Sequence, residues 1–336
     1  MVRRMIHPIP PGTRDVLPDE MRELRRLNRR LIEVFEDSGY GEVSTPAIEY
    51  DEVLSRGDRP SAASAYRFFD ENGDLLALRS DMTVPIARLV ATRFADAPKP
   101  LRLCYLASAY RAVTPQRGEM REFVQAGIEL IGAPGAEGTA EVIGVLEAAL
   151  DAAGLDRAVI GLGHADLYRS LLKEFGVEGE ARDAVLGRLA THDLVGLEAE
   201  LSEAGIGAAA TEACVALSQL RGGADVLERA REIGGDAVER TTTRLQRTYE
   251  TLVERGTADR VQIDFGLLRD LGYYSGAIFE VYDPAVGHIL GGGGRYDGFL
   301  ANFGVDLPAA GFSLYLERVH VAQMEEESRR RERAAT

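Results

Sequence analysis

Residues 103–131 constrain the fold more than any other stretch of the chain. They read as strand, loop, strand: an apolar run over Leu103–Ala109, the loop TPQRGEMRE, then FVQAGIELIG. Side chains alternate along an extended strand, so Gln125 and Glu129, four residues apart, share a face. Arg111 closes the first strand, and Arg117 and Arg121 lie in or beside the loop. If the two strands pair, Arg111, Arg121, Gln125 and Glu129 converge. An amide and a carboxylate beside several guanidiniums suit a small polar molecule with an amine and an anionic group. Phe123, Ala126 and Ile128 are apolar, so the polar face either lines a cleft or is a solvated strand face, and the pattern alone does not choose.

Elsewhere helices mix with hairpins. In PDEMRELRRLNRRLIEVFEDSG (18–39), Met21, Leu24, Leu27, Leu31 and Val34 recur at helical spacing, and Gly39 stops the helix. GYGEVSTPAIEYDEVL reads as a strand with Pro46 at or near an edge. FFDENGDLLALRS reads as a hairpin turning at Asn72-Gly73. Asp81 is placed to cap a helix toward Arg93, and another helix runs from about Ala136 to Ala153. VIGLGHADLYRSLL is a strand followed by a helix. Residues 168–257 are rich in Ala, Glu, Leu and Arg and nearly free of strand signals, which predicts a helical insertion. Strands return at RVQIDFGLLRDLGYYSGAIFEVYDP, and LPAAGFSLYLERVHVAQM is a strand running into the last helix. The elements do not alternate as βαβ units. The expectation is an α+β fold, an antiparallel sheet flanked by helices. Its core spans 1–167 and 258–323, with the insertion at 168–257 and a charged, frayed tail at 324–336.

Composition narrows the function. The chain has 39 basic and 54 acidic residues, a net charge of −15, and so lacks the electrostatic footprint of a nucleic-acid binder. No apolar run reaches membrane-spanning length, and MVRRMIHPIPPG has no apolar h-region, so no secretory signal is expected. Cys104 and Cys214 stand far apart and outside CxxC spacing, as buried thiols in a reducing cytoplasm would. The five histidines show no metal-ligand spacing, and neither HExxH nor GxSxG occurs. No metal, cofactor or catalytic nucleophile is expected.

Other candidate residues sit in four short segments. LRSDMT sets Asp81 and Thr83 at a helix N-terminus, where a cap alone would account for the carboxylate. LLRDLGYYSGAIFE sets Arg269, Tyr273 and Tyr274 among glycines, which in a strand mark close approach of a ligand or another chain. Adjacent tyrosines in a strand point to opposite faces, so at most one should face a pocket. GGGGRYDG is not a phosphate loop, because no GK[ST] follows it; its missing side chains leave room for something else. Arg318 opens the last helix, to grip an anion or to cap the sheet with a salt bridge.

Taken in order, these segments resemble histidyl-tRNA synthetase, a class II aminoacyl-tRNA synthetase, along nearly the whole chain. PPGTRDVLP at 10–18 is similar to that family's opening signature, VSTPAIE to motif 1, LRSDMT to LRPEGT, and YRAVTPQRGEMREFVQAGIELIG to motif 2. LLRDLGYYSGAIFE resembles the histidine-specific segment RGLDYYxxTVFE, and GGGGRYDG with GFSLYLER resembles the GGRYDG stretch and motif 3. The resemblance implies a six-stranded antiparallel sheet with flanking helices and a helical insertion. It also implies a homodimer formed through motif 1.

The departures redirect the expected function. The chain stops soon after motif 3, so no anticodon-binding domain and no tRNA are expected. Val113 stands where motif 2 has the Glu that contacts adenine, Tyr315 stands at the motif 3 glycine, and Glu119 stands at a loop arginine. In the tyrosine segment, Asp270 and Gly272 are exchanged relative to RGLDYY. The positions matching the family's histidine pocket remain: Arg111, Gln125, Glu129, Arg269, Tyr273 and Tyr274, with Asp81 and Thr83 in place of a Glu and a Thr. This combination resembles the paralogous regulatory subunits of ATP phosphoribosyltransferase, which read LRxDxT there. The resemblance implies a non-catalytic, cytoplasmic subunit that binds histidine. It would join a short catalytic subunit in the first step of histidine biosynthesis and mediate feedback inhibition. The rival expectations are a synthetase-like enzyme that activates an amino acid with ATP, and a scaffold that has lost its ligand.

Overall fold

The structure, a computed structural model, describes residues 9–57, 64–113, 120–268 and 272–334. Among these, nine strands form one sheet. Its centre is six strands, each antiparallel to the next: β5 (Leu101–Tyr110), β6 (Glu122–Ile131), β12 (Ala309–Tyr315), β11 (Gly291–Arg295), β10 (Ala277–Tyr282) and β7 (Val159–His164). This is the expected antiparallel core. Short strands lengthen it at both ends, β1 (Gly41–Glu42) parallel to β5, β9 (Val261–Asp264) parallel to β7, and β8 (Arg221–Gly222) antiparallel to β9. β5 and β6 pair over ten residues, from Leu101 opposite Ile131 to Tyr110 opposite Glu122.

Helix α1 (Pro18–Asp37) buries Leu24, Leu27, Leu31 and Phe35, spaced three or four apart, toward the sheet. Each such side chain removed from water contributes about 1.5–3 kcal/mol. The Phe35 ring meets Phe312 of β12 edge-on at 5.8 Å. The helix ends at Ser38, and Gly39 (φ +85) takes the left-handed turn a chain leaving a helix needs.

The stretch 39–54, read as one strand, divides instead. β1 joins the large sheet. After Pro46, which cannot donate to a ladder, the chain enters a separate three-stranded sheet through β2 (Ile48–Tyr50). Asp51 and Glu52 then start the short helix α2 (Asp51–Gly57). The crossing is pinned by Arg79, 6% exposed, whose Nη1 donates to Thr45 O at 2.7 Å and whose Nε donates to Ser108 O at 2.7 Å. The small sheet is completed by the expected hairpin, β3 (Arg67–Phe69) and β4 (Leu75–Leu78). Helix α3 (Thr83–Arg93) follows.

Helix α4 (Gly135–Ala152) packs beside α1 with Val142, Ile143, Leu146 and Leu150 buried. Six helices run between β7 and β9: α5 (Leu167–Glu174), α6 (Gly179–Ala190), α7 (Leu194–Glu203), α8 (Ala208–Ser218), α9 (Asp225–Gly234) and α10 (Asp236–Glu254). Their Leu189, Leu197, Leu201 and Leu217 belong to the same continuous core as Ile160, Leu162 and Phe279 of the sheet.

The charged stretch after 324 is not frayed: helix α11 (Leu316–Ala334) carries through it. Glu326, 3% exposed, accepts the N–H groups of Asp156 and Arg157, and Arg331 pairs with Glu327 one turn back. A Glu four residues before an Arg supports a helix. No described helix is long and apolar enough to cross a membrane.

Candidate functional site

Separate elements converge on one cavity. The chain leaving β5 supplies Arg111, β6 supplies Gln125 and Glu129, and the start of α3 supplies Asp81 and Thr83. The segment before β10 supplies Tyr273 and Tyr274. Seven of the eight residues singled out above are thus brought together; Arg269 lies outside the described residues, as does Arg117. Arg121 is turned elsewhere, its Nε donating to Val113 O at 3.1 Å.

Strand alternation places Gln125 (3% exposed) and Glu129 (2% exposed) on the same face, as expected. It does not govern the tyrosines. β10 begins only at Ala277, so the pair lies in a turn, and both rings line the cavity with centroids 4.8 Å apart.

Glu129 is gripped at both oxygens. Thr83 Oγ1 donates to Oε1 at 2.9 Å, and the Tyr296 hydroxyl donates to Oε2. Tyr296, 3% exposed, was missed as a site residue because it sits just past a strand end, in a segment that reads as a helix start. The only available signal was chemical, since a buried carboxylate needs a donor. Asp81 serves twice: its Oδ1 caps α3 by accepting from Val84 N at 3.1 Å, and the residue lines the cavity. Arg111 is held by Nε to Ser80 O (3.1 Å) and Nη1 to the Tyr315 hydroxyl (3.4 Å), with its guanidinium 4.9 Å from the Phe123 ring centroid. Gln125 Nε2 donates to Ser313 Oγ at 3.3 Å, but its buried Oε1 has no partner among the described residues. Turning the amide over exchanges the two atoms without pairing both.

At Gly291 and Gly293 the glycine run makes room for β12 rather than for a ligand. A Cβ on Gly293 would stand 2.0 Å from Gly311 O, and one on Gly291 2.3 Å from Ser313 O, so β12 itself occupies that space. Of the four, Gly292 lines the cavity. Arg318 caps the sheet on a backbone carbonyl. Its Nη1 donates to Ile289 O at 2.8 Å, and its guanidinium lies 4.5 Å from the Tyr315 ring centroid.

Burial dominates the electrostatics. It pushes the Glu129 carboxyl up to about 8, the nearby Asp81 adds to the rise, and the Tyr296 and Thr83 hydrogen bonds oppose it. Burial also works against the Arg111 charge, but the Tyr315 oxygen and Asp81 outweigh it and raise the Arg111 pKa. The cavity therefore offers a cation-seeking carboxyl pair, a fixed guanidinium and a spare amide. In this conformation its free volume is about 30 Å³, room for a few waters.

A family model described as histidyl-tRNA synthetase matches residues 12–319. The chain belongs to that family. The ATP phosphoribosyltransferase regulatory subunit of Symbiobacterium thermophilum is 43% identical over 318 residues, 94% of this chain and 79% of the relative. That of Moorella thermoacetica is 41% identical over 319 residues, 94% of this chain and 82% of the relative. A crystal structure from Bacillus halodurans, described as an ATP phosphoribosyltransferase regulatory subunit/histidyl-tRNA synthetase, superposes with a TM-score of 0.88 at 31% identity, covering 96% of this chain and 84% of that one. Within the family, the chain therefore belongs with the ATP phosphoribosyltransferase regulatory subunits.

Proposed function

We propose that this chain is the regulatory subunit of ATP phosphoribosyltransferase, acting in the first step of histidine biosynthesis with a short catalytic subunit and sensing histidine in the cavity described above. The observation that carries the ligand assignment is the pairing of Glu129, buried with its pKa pushed up to about 8, with the unpartnered Gln125 oxygen beside it. Among the described residues neither meets a cation, and the Gln125 oxygen meets no donor; histidine supplies an ammonium that favours the Glu129 carboxylate and an imidazole N–H for the amide oxygen. Arg111 is placed to take the ligand carboxylate by charge-assisted hydrogen bonds. Feedback requires that histidine bind the inhibited state more tightly than the active one. The helical stretch 168–257 is an insertion into the core formed by 1–167 and 258–323. Two buried thiols suit a reducing cytoplasm.

The test is phosphoribosyl-ATP formation by a short-form catalytic subunit, with and without this chain, across a histidine titration. Activity that needs the chain and falls with histidine is expected. A matched catalytic subunit indifferent to the chain would overturn the reading. Histidine-dependent ATP–pyrophosphate exchange would then point to an amino-acid-activating enzyme.

The same reading includes a homodimer through motif 1, whose end enters the small sheet as β2. Register puts Ile48, Tyr50, Phe68, Leu76 and Leu78 on one face, and Tyr50 remains 54% exposed. A second copy of this face covers it. Tyr50→Asp is expected to shift the chain from dimer to monomer in sedimentation; an unchanged dimer would place the contact elsewhere.

A further inference from the structure

A second cavity, about 320 Å³ and far roomier than the first, lies between the start of α4, the α10 helix and the β7–β10 edge. Hydrogen-bond donors dominate its walls. The first turn of α4, at Gly135 and Ala136, brings backbone N–H groups and the positive end of an 18-residue helix, and Pro134 before it offers no side-chain cap. Helix α10 adds Arg244 and Arg247, whose guanidiniums have no hydrogen-bond or ion-pair partner among the described residues.

Two buried groups point to a ligand independently of the helix end. His164, 5% exposed, accepts from Asp166 N at Nδ1 (3.2 Å), which leaves its proton on Nε2. That N–H has no partner among the described residues. Burial, with Arg244 and Arg240 nearby, pushes the ring down to about 4, so it stays a neutral donor. The buried Ser275 hydroxyl oxygen also has no partner among the described residues. The carboxylate in the wall does not compete for these donors: Asp297 is engaged by Arg295 at 2.9 and 3.1 Å and by Ala309 N at 3.0 Å. Arg295 is itself fixed to Ala133 O (2.8 Å) and Gly135 O (2.9 Å) and serves as framework.

We infer that this cavity is a binding site for a small phosphate-bearing anion, an orthophosphate or diphosphate group held by Arg244 and Arg247, the α4 N-terminus, His164 and Ser275. Helix N-termini and arginine forks are the donors that oxyanions of this class require. The site stands on its own geometry and does not depend on the amino-acid reading. The two cavities nevertheless share chain segments. Tyr274 faces the first and its neighbour Ser275 the second, and the same holds for Tyr296 and Arg295.

Calorimetric titration of the full chain with inorganic pyrophosphate, and in parallel with orthophosphate, tests the inference. Saturable binding of at least one of them is expected, the tighter of the two assigning the group. The Arg244→Ala/Arg247→Ala variant, altered only on an exposed helix face, is expected to bind roughly a hundredfold or more weakly, since two charged contacts are lost. Ser275→Ala should weaken binding less. Absence of saturable binding by both anions, or equal binding by wild type and the double-arginine variant, would overturn the site.

Discussion

Glu129→Gln is expected to abolish the histidine response of the complex while leaving the subunit folded and, in alkaline solution, more stable than the wild type. The two effects have one cause. Glu129 is 2% exposed and its pKa in the folded chain is pushed up to about 8, against an ordinary value of 4.5. An acid raised in this way leaves stability intact below the unfolded value and erodes it as pH rises through the folded one, because the folded state resists the charge. Glutamine cannot ionise and escapes that loss; its one oxygen accepts from Thr83, and its NH2 donates to the Tyr296 hydroxyl, which turns to accept. Urea unfolding of both proteins at about pH 6 and pH 9 checks this; equal slopes with pH would mean that Glu129 ionises freely in the folded chain.

Ligand binding runs the other way. A bound ammonium or imidazolium favours the carboxylate, so histidine must displace a proton from Glu129 below about pH 8. The affinity of the wild type is expected to fall as the solution is made more acid, with proton release visible as a dependence of the binding heat on the buffer. The glutamine variant shows neither. Removing one partner of a buried charge pair costs about 2–5 kcal/mol, which corresponds to roughly thirtyfold to several thousandfold in affinity. Undiminished histidine binding by Glu129→Gln would remove this carboxyl from the recognition of the ligand.

The parts of the site that sequence reasoning reached are those governed by local periodicity. Gln125 and Glu129 follow from strand alternation, and Asp81 from the chemistry of a helix start. The parts it missed depend on contacts between distant segments. Nothing local to Tyr296 shows that its hydroxyl meets Glu129, 167 positions away. Nothing local to Tyr273-Tyr274 shows that the strand starts too late to separate the two rings. The fold shows the same division. The paired strands of 101–131 and the helix at 18–37 were readable from pattern. The split of 41–54 between two sheets depends on Arg79, which reaches back to Thr45. The helical tail was misread because its charges were counted as solvated, whereas Glu326 is buried against the N–H groups at 156 and 157.

Gly293→Ala is expected to destabilise the chain by about 3 kcal/mol, at the upper end of the usual cost of overpacking. The added Cβ would stand 2.0 Å from Gly311 O, 2.7 Å from Phe312 Cα and 2.8 Å from Phe312 Cβ. The first two are backbone atoms of β12, which is itself paired with β6 on its other side, so neither can move away without disturbing the central ladder. Relief by moving β12 carries Gly311 and Ser313 with it, and these line the same cavity as Glu129. Ligand binding is therefore lost together with stability. The matched control is Gly187→Ala on the exposed side of α6, where an added Cβ meets nothing within 4 Å. There the same methyl group should stabilise by about 0.5–1 kcal/mol, because glycine inside a helix loses more backbone freedom on folding than alanine. Opposite signs for the two substitutions in denaturant unfolding are the expected outcome. A Gly293→Ala chain as stable as the wild type would show that β11 and β12 do not approach as closely as the structure places them.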